Sequence, residues 1–296
     1  MNFSPRQWKA AGKTLRLKGH SVFVIDSEQG NPGDKPCILL IHGYPTSSWD
    51  WEPLWPLLTP DFRLIALDLL GFGYSEKPYP YHYLISEQAD IVEGLVQHLK
   101  LKSFHVLAHD YGDTVAQELL ARQNERDAPE WLSLCLLNGG LFPETHRARL
   151  IQKLLTTPLG PMITRHMSKA NLKRSMSNVF GEYTPPTDQL IDGYWEVINY
   201  NNGRRALHAL IDYMKQRRDS RERWVGALTQ KRIPTALING AADPVSGAHM
   251  VARYKEAVGA PRVIISLEKI GHYPQWEAPQ QVAAAYRQFL DSLNDC

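Results

Sequence analysis

Short apolar runs, each stopped by turn residues, recur along the chain. They alternate with longer stretches in which apolar positions fall three or four apart. Pro36-Cys37-Ile38-Leu39-Leu40-Ile41-His42 is one such run, ending at Gly43. Residues 63–68, 104–108, 132–137, 233–238 and 263–267 are five more. Continuous apolar strands must be covered on both faces, which predicts a mostly parallel sheet. Between them, Ser86 is placed to N-cap a helix whose Ala89, Val92, Leu95, Val96 and Leu99 share one face. A second helix follows Gly112 with Val115, Leu119 and Leu120. A last one, over about 278–293, carries Val282, Tyr286, Phe289 and Leu293. The alternation predicts an open α/β sheet with helices on both faces and right-handed crossovers.

The alternation breaks between Gly139-Gly140 and about Leu228, where no strand pattern is convincing. Helical patterns occupy residues 150–155, 189–200 and 204–217. This predicts a helical cap, residues 139–228, inserted between two parts of the α/β core, residues 1–138 and 229–296. Such a cap would lie over the C-terminal edge of the sheet, where α/β proteins bind ligands. Its basic cluster (Arg204, Arg205, Lys215, Arg217, Arg218, Arg221 and Arg223) is expected to be a solvated face.

Composition narrows the class. The 296 residues carry 33 Lys+Arg against 31 Asp+Glu, a formal net charge of +2, and 43% are hydrophobic. That is ample apolar material for a folded core and too little basic excess for non-specific nucleic-acid binding. No run approaches the roughly 20 apolar residues of a membrane-spanning helix, and the opening residues show no signal-peptide core. Cys37, Cys135 and Cys296 are far apart, odd in number and without metal-like spacing. A cytoplasmic protein, monomer or homodimer, without metal or cofactor, is expected.

The most informative segment is Val106-Leu107-Ala108-His109-Asp110-Tyr111-Gly112-Asp113. An apolar strand enters a small-x-x-x-small turn and then a helix, the pattern of a nucleophile elbow. An N-cap role would also favour Asp here, but it leaves the small residues at both Ala108 and Gly112 unaccounted for. The central position is Asp110, and a carboxylate there selects the chemistry. It can attack an sp³ carbon and form an alkyl ester for water to cleave. Asp243 follows the strand at 233–238 and His272 follows the strand at 263–267. Nucleophile, acid and histidine thus occur in α/β-hydrolase order. No acid stands at the end of the preceding strand, Asn138-Gly139-Gly140, so Asp243 is the expected acid. His42-Gly43-Tyr44-Pro45 follows the first strong strand. Its Tyr44 amide, with that of Tyr111, is the expected oxyanion hole.

On these residues the chain resembles the α/β-hydrolase superfamily over essentially its full length. Within it, the His42-Gly43-Tyr44-Pro45 and His109-Asp110-Tyr111-Gly112 segments, with 69–78, resemble the epoxide hydrolase and haloalkane dehalogenase branch. The strings at 110–119, 138–147 and 223–228 are similar to the mesoderm-specific transcript group. The resemblance implies an α/β-hydrolase fold and a small hydrophobic substrate, with no cofactor. Dehalogenases grip the halide with a Trp after the nucleophile, where this chain has Tyr111. Epoxide hydrolases accept an aromatic residue at the Tyr44 position and protonate the opening epoxide from cap tyrosines. Tyr213 matches the tyrosine of the final cap helix. Tyr183 and Tyr200 are expected to line the substrate site from the cap, and His42 and His109 from the core. The expected reaction is epoxide opening to a vicinal diol. Dehalogenation by the same triad, or a catalytically silent binding protein, are the alternatives.

Overall fold

The computed structural model describes residues 3–29, 33–125, 130–230 and 232–293. Eight strands form one sheet: β1 Lys13–Leu17, β2 His20–Asp26, β3 Cys37–Ile41, β4 Arg63–Leu67, β5 Ser103–His109, β6 Glu130–Leu137, β7 Thr235–Gly240 and β8 Val263–Leu267. Their order is β1-β2-β4-β3-β5-β6-β7-β8. The β1–β2 and β2–β4 pairs are antiparallel and all the others parallel. The six apolar runs are thus the six strands of the parallel part. Ile38 to Ile41 on β3, and Val106 to Ala108 on β5, are wholly buried, as strands covered on both faces must be.

The β1–β2 hairpin was not expected. Lys13, Thr14 and Arg16 put charge and polarity on an edge strand with one solvated face, which hides the period of two. The helix at Ile85–His98 begins one residue before Ser86, and no side chain caps it. The first free N–H, that of Ile85, donates instead to Gln216 Oε1 at 2.9 Å, so Ser86 has no capping role.

Between β6 and β7 the chain is helical. Leu150–Leu155 and Asp188–Asn199 fall at the expected places. Gly160–Arg165, Lys169–Ser177 and Arg221–Thr229 are additional. The stretch read as one helix over 204–217 is broken. A 3₁₀ segment with Asn201 and Asn202 at φ 50° and 57° precedes Leu207–Leu210, and Tyr213–Asp219 follows. Asn tolerates the left-handed region, which lets the chain turn there. Among the described residues no helix is long and apolar enough to cross a membrane. Cys37 and Cys135 are buried and unbridged, and Cys296 lies outside the described residues.

The topology places the site. From β3 the sheet is extended by β4 on one side and β5 on the other. At such a reversal two loops diverge from adjacent strand ends and leave a crevice. Here those loops begin at His42 and Asp110.

Candidate active site

β5 delivers the chain to Asp110, whose φ of 49° lies in the left-handed region, and helix Tyr111–Glu125 starts at the next residue. A non-glycine residue held in that conformation stores strain and exposes its side chain at a sharp turn. Gly112 makes the turn possible. A Cβ there would sit 2.2 Å from the carbonyl oxygen of Ile41 and 2.7 Å from that of His42. The helix can therefore approach β3 only without a side chain at this position.

Asp110 is 3% exposed. The Tyr44 N–H donates to its Oδ2 at 3.0 Å. Tyr111, the other expected backbone donor, opens the helix and makes no hydrogen bond to Asp110 among the described residues. Oδ1 of Asp110 faces His272 Nε2 across 3.9 Å. That is too long for a hydrogen bond, so this nitrogen is unspent. On the other side of the ring, His272 Nδ1 donates to Asp243 Oδ2 at 2.7 Å.

Asp243 is held from four sides. Besides His272, its Oδ2 accepts from Asn138 Nδ2 at 3.0 Å and Ser246 Oγ at 2.8 Å, and its Oδ1 from the Val245 N–H at 2.8 Å. Burial opposes its charge, but the His272 charge and these hydrogen bonds outweigh it and hold the carboxyl at about 2. For His272 burial also opposes charge. Asp243 first, then Asp110, outweigh it and push the imidazole up to about 9.

Asn138 ends β6 at φ 46°, and it binds both backbone polar groups of Gly240 as well as Asp243. It stands just past β6, where the sequence offers no acid, and it donates to Asp243, which follows the next strand. Glu277 holds the histidine loop. Its Oε2 accepts from the Gly181 N–H at 2.7 Å, Thr184 Oγ1 at 2.6 Å and the Gly271 N–H at 2.8 Å, and its Oε1 from the Tyr273 N–H at 3.0 Å. Neither residue stood out in the sequence. For Asn138 the strand-end position was a usable signal, whereas nothing local marks Glu277.

Tyr213 is 1% exposed, with its ring 4.9 Å from that of Tyr111 and 6.3 Å from that of Tyr44. Burial and the Asp110 charge push its phenol well above the ordinary value, which keeps the hydroxyl protonated. One helical turn on, Arg217 lies against the Tyr213 ring at 4.8 Å. Its Nε and Nη2 donate to Thr114 Oγ1 at 3.2 and 2.7 Å. Arg217 is 2% exposed, so this member of the basic cluster is not on a solvated face. It ties the helix of Tyr213 to helix Tyr111–Glu125, which follows Asp110. Arg221 and Arg223 do reach the surface, paired with Glu144 and with Glu118 and Glu125.

All four expected substrate-lining residues sit elsewhere. The His42 Nε2 accepts from the Leu69 N–H at 3.0 Å, and its Nδ1 donates to the Gly43 carbonyl at 2.8 Å. It is a neutral brace beneath the loop, its basicity lowered by burial. The His109 Nε2 donates to the His272 carbonyl at 2.7 Å, and burial followed by the His272 charge lowers it to about 4. It too lies behind the site. Tyr183 is 70% exposed, with the Lys269 ammonium over its ring. Tyr200 packs on Tyr74, with Lys9 over its ring. Both tyrosines lie outside the crevice because the irregular segments before and after helix Asp188–Asn199 run over the surface.

A family model described as the alpha/beta hydrolase family matches residues 38–285. The mesoderm-specific transcript homolog protein of Homo sapiens is 45% identical over 294 residues, covering 97% of this chain and 88% of that protein. The corresponding protein of Bos taurus is also 45% identical, over the same shares. Among solved structures, a loop variant of the haloalkane dehalogenase DbeA from Bradyrhizobium elkanii superimposes with a TM-score of 0.79 at 21% identity. It covers 96% of this chain and 97% of that one.

Proposed function

The chain belongs to the alpha/beta hydrolase family, and from that premise we propose that it opens an epoxide to a vicinal diol through an alkyl ester on Asp110. The observation that carries this reading is the division of labour at Asp110. Its Oδ2 is anchored by the Tyr44 N–H, and its Oδ1 stands free before the unspent His272 nitrogen. In this reading the helical segment 139–228 is a cap that brings Tyr213 over the nucleophile, and residues 1–138 and 229–296 are the core.

Asp110 Oδ1 attacks the less hindered epoxide carbon and the C–O bond breaks. Tyr213 gives its proton to the departing alkoxide. The tyrosinate is reprotonated, and the proton comes ultimately from the charged His272. The ester no longer carries the Asp110 charge, one of those that hold the imidazole near 9, so His272 yields its proton more readily after alkylation than before. Neutral His272 then takes a proton from water, which attacks the ester carbonyl, and Tyr44 N–H stabilises the oxyanion. Collapse releases the diol and returns Asp110 to a carboxylate and His272 to its charged form. Asp110, His272, Tyr111 and Tyr213 are all buried, and the aromatic rings around the carboxylate suit a small apolar substrate.

Dehalogenation is a second reading, favoured by Tyr111. Its side chain is fully buried directly after the nucleophile, and its hydroxyl lies by Gln88, whose amide is already committed to both backbone groups of Leu70. Tyr111 and Tyr213 would then donate to a departing halide instead. A panel of aryl and alkyl epoxides and haloalkanes, scored for diol and halide, separates the two. Diol from at least one epoxide is expected. Halide release alone would move the assignment, and inactivity across the panel would favour a silent binding protein.

A further inference from the structure

Between Thr145 and Gly181 the chain has seven Lys and Arg and no Asp or Glu, although charges balance over the whole sequence. Lys169 and Lys173 are paired with Asp192 and Asp188. Arg147, Arg149, Lys153, Arg165 and Arg174 make no ion pair among the described residues. The same segment contains half of the large apolar side chains exposed among the described residues. Leu150 is 79% exposed, Leu154 46%, Leu159 53% and Met162 56%, with Ile151 beside them. These belong to helices Leu150–Leu155 and Gly160–Arg165 and the turn between them.

The inner faces are accounted for. Leu155, Gly160 and Thr164 are buried, and the outer faces leave an apolar ridge rimmed by cations. Bordering it is an open pocket of about 880 Å³ where Leu150, Leu155 and Ile163 meet Arg147, Arg149 and Arg174, and which reaches Pro244, the residue after Asp243. A contiguous apolar patch with a polar rim marks an interaction surface. Apolar side chains flanked by Lys and Arg have the chemistry of a segment lying in the headgroup region of an anionic bilayer. A second copy fits less well. A two-fold contact through this face would bring its arginines against their own counterparts with no acid between them.

We propose that this face seats on an anionic phospholipid surface. Leu150, Leu154, Leu159 and Met162 enter the headgroup layer and the arginines meet lipid phosphates. The protein lies on the membrane without spanning it. The membrane contact stands without the covalent mechanism.

Flotation of the full chain with two kinds of vesicle tests this, phosphatidylcholine alone and phosphatidylcholine mixed with phosphatidylglycerol. Binding to the mixed vesicles is expected, with salt weakening it. Partitioning should fall at least tenfold in a Leu150→Ser/Leu154→Ser/Leu159→Ser variant whose circular dichroism and unfolding midpoint match wild type. Asp110→Asn should bind like wild type, so this result does not depend on the chemistry at Asp110. Failure to bind either vesicle, equal binding to both, or full binding by the triple variant would overturn the proposal. So would sedimentation showing that the substitutions only convert a dimer to a monomer.

Discussion

Replacing Asp243 with Asn keeps the volume of the side chain and removes its charge. Oδ2 accepts from three donors, His272, Asn138 and Ser246, and Oδ1 from a fourth, the Val245 N–H. An Asn amide nitrogen at either position turns an acceptor into a donor, so at least one buried donor is left without a partner. That costs about 1–3 kcal/mol at any pH. The electrostatic part depends on pH. Folding raises His272 from 6.5 to about 9 and lowers Asp243 from 3.8 to about 2. The first contribution is complete below pH 6.5 and is lost as pH rises through about 9, while the second is complete above 3.8 and is lost as pH falls towards 2. At about 1.4 kcal/mol per tenfold change in proton affinity, the two shifts correspond to ~3 and ~2 kcal/mol. They describe one shared interaction from its two ends and are not added, and Asp110 supplies part of the first. The stability gap between wild type and Asp243→Asn is therefore expected to be widest between about pH 4 and 6.5. It should narrow by about 2 kcal/mol by pH 10. Urea unfolding across that range measures it. A gap that stays constant from pH 6 to 10 would refute the assignment of the His272 shift to the Asp243 charge.

Gly112→Ala drives a methyl group into the backbone carbonyl oxygens of Ile41 and His42, so a loss of ~3 kcal/mol or more is expected in urea unfolding; wild-type stability would mean that the elbow is not this tight. Tyr213→Phe should slow ester formation by roughly 10²–10⁴ in single-turnover assays with an epoxide while leaving the far-ultraviolet spectrum intact. Unchanged diol formation would remove the proposed acid. Glu277→Gln keeps one acceptor oxygen where two now serve four donors. A fall in kcat of about tenfold with little change in KM is expected as the His272 loop loosens, with ~1–3 kcal/mol of stability lost. An unchanged kcat would leave Glu277 without a positioning role.

The parts of the molecule legible in the sequence are those where local pattern and tertiary position coincide. Six continuous apolar runs became the six strands of the parallel part, because burial on both faces leaves no polar position to blur them. Asp110, Asp243 and His272 stand just beyond β5, β7 and β8, and a parallel sheet brings its C-terminal ends together. Order along the chain therefore predicted nearness in space, and the distances place His272 between the two carboxylates. Position failed where contact is made through space by irregular segments. Tyr183 and Tyr200 carry suitable chemistry, but they flank a helix whose loops run outward. His42 and His109 have the right neighbours in sequence and point into the scaffold. Arg217 lies in a run of cations, and only its contact with Thr114 of helix Tyr111–Glu125 shows that it is buried. The β1–β2 hairpin and the additional helices between β6 and β7 are short and half solvated, so their periodicity covers too few residues to stand out.

The central claim is that Asp110 becomes covalently bound to substrate and that His272 acts only afterwards. A carboxylate needs no base to attack carbon, whereas hydrolysis of the ester does. Incubation of His272→Gln with an epoxide that wild type turns over, followed by intact-protein and peptide mass spectrometry, tests both halves at once. The protein should gain one whole epoxide mass, localised to the peptide that contains Asp110. An adduct on Asp113, or no adduct with a substrate that wild type consumes, would contradict the account.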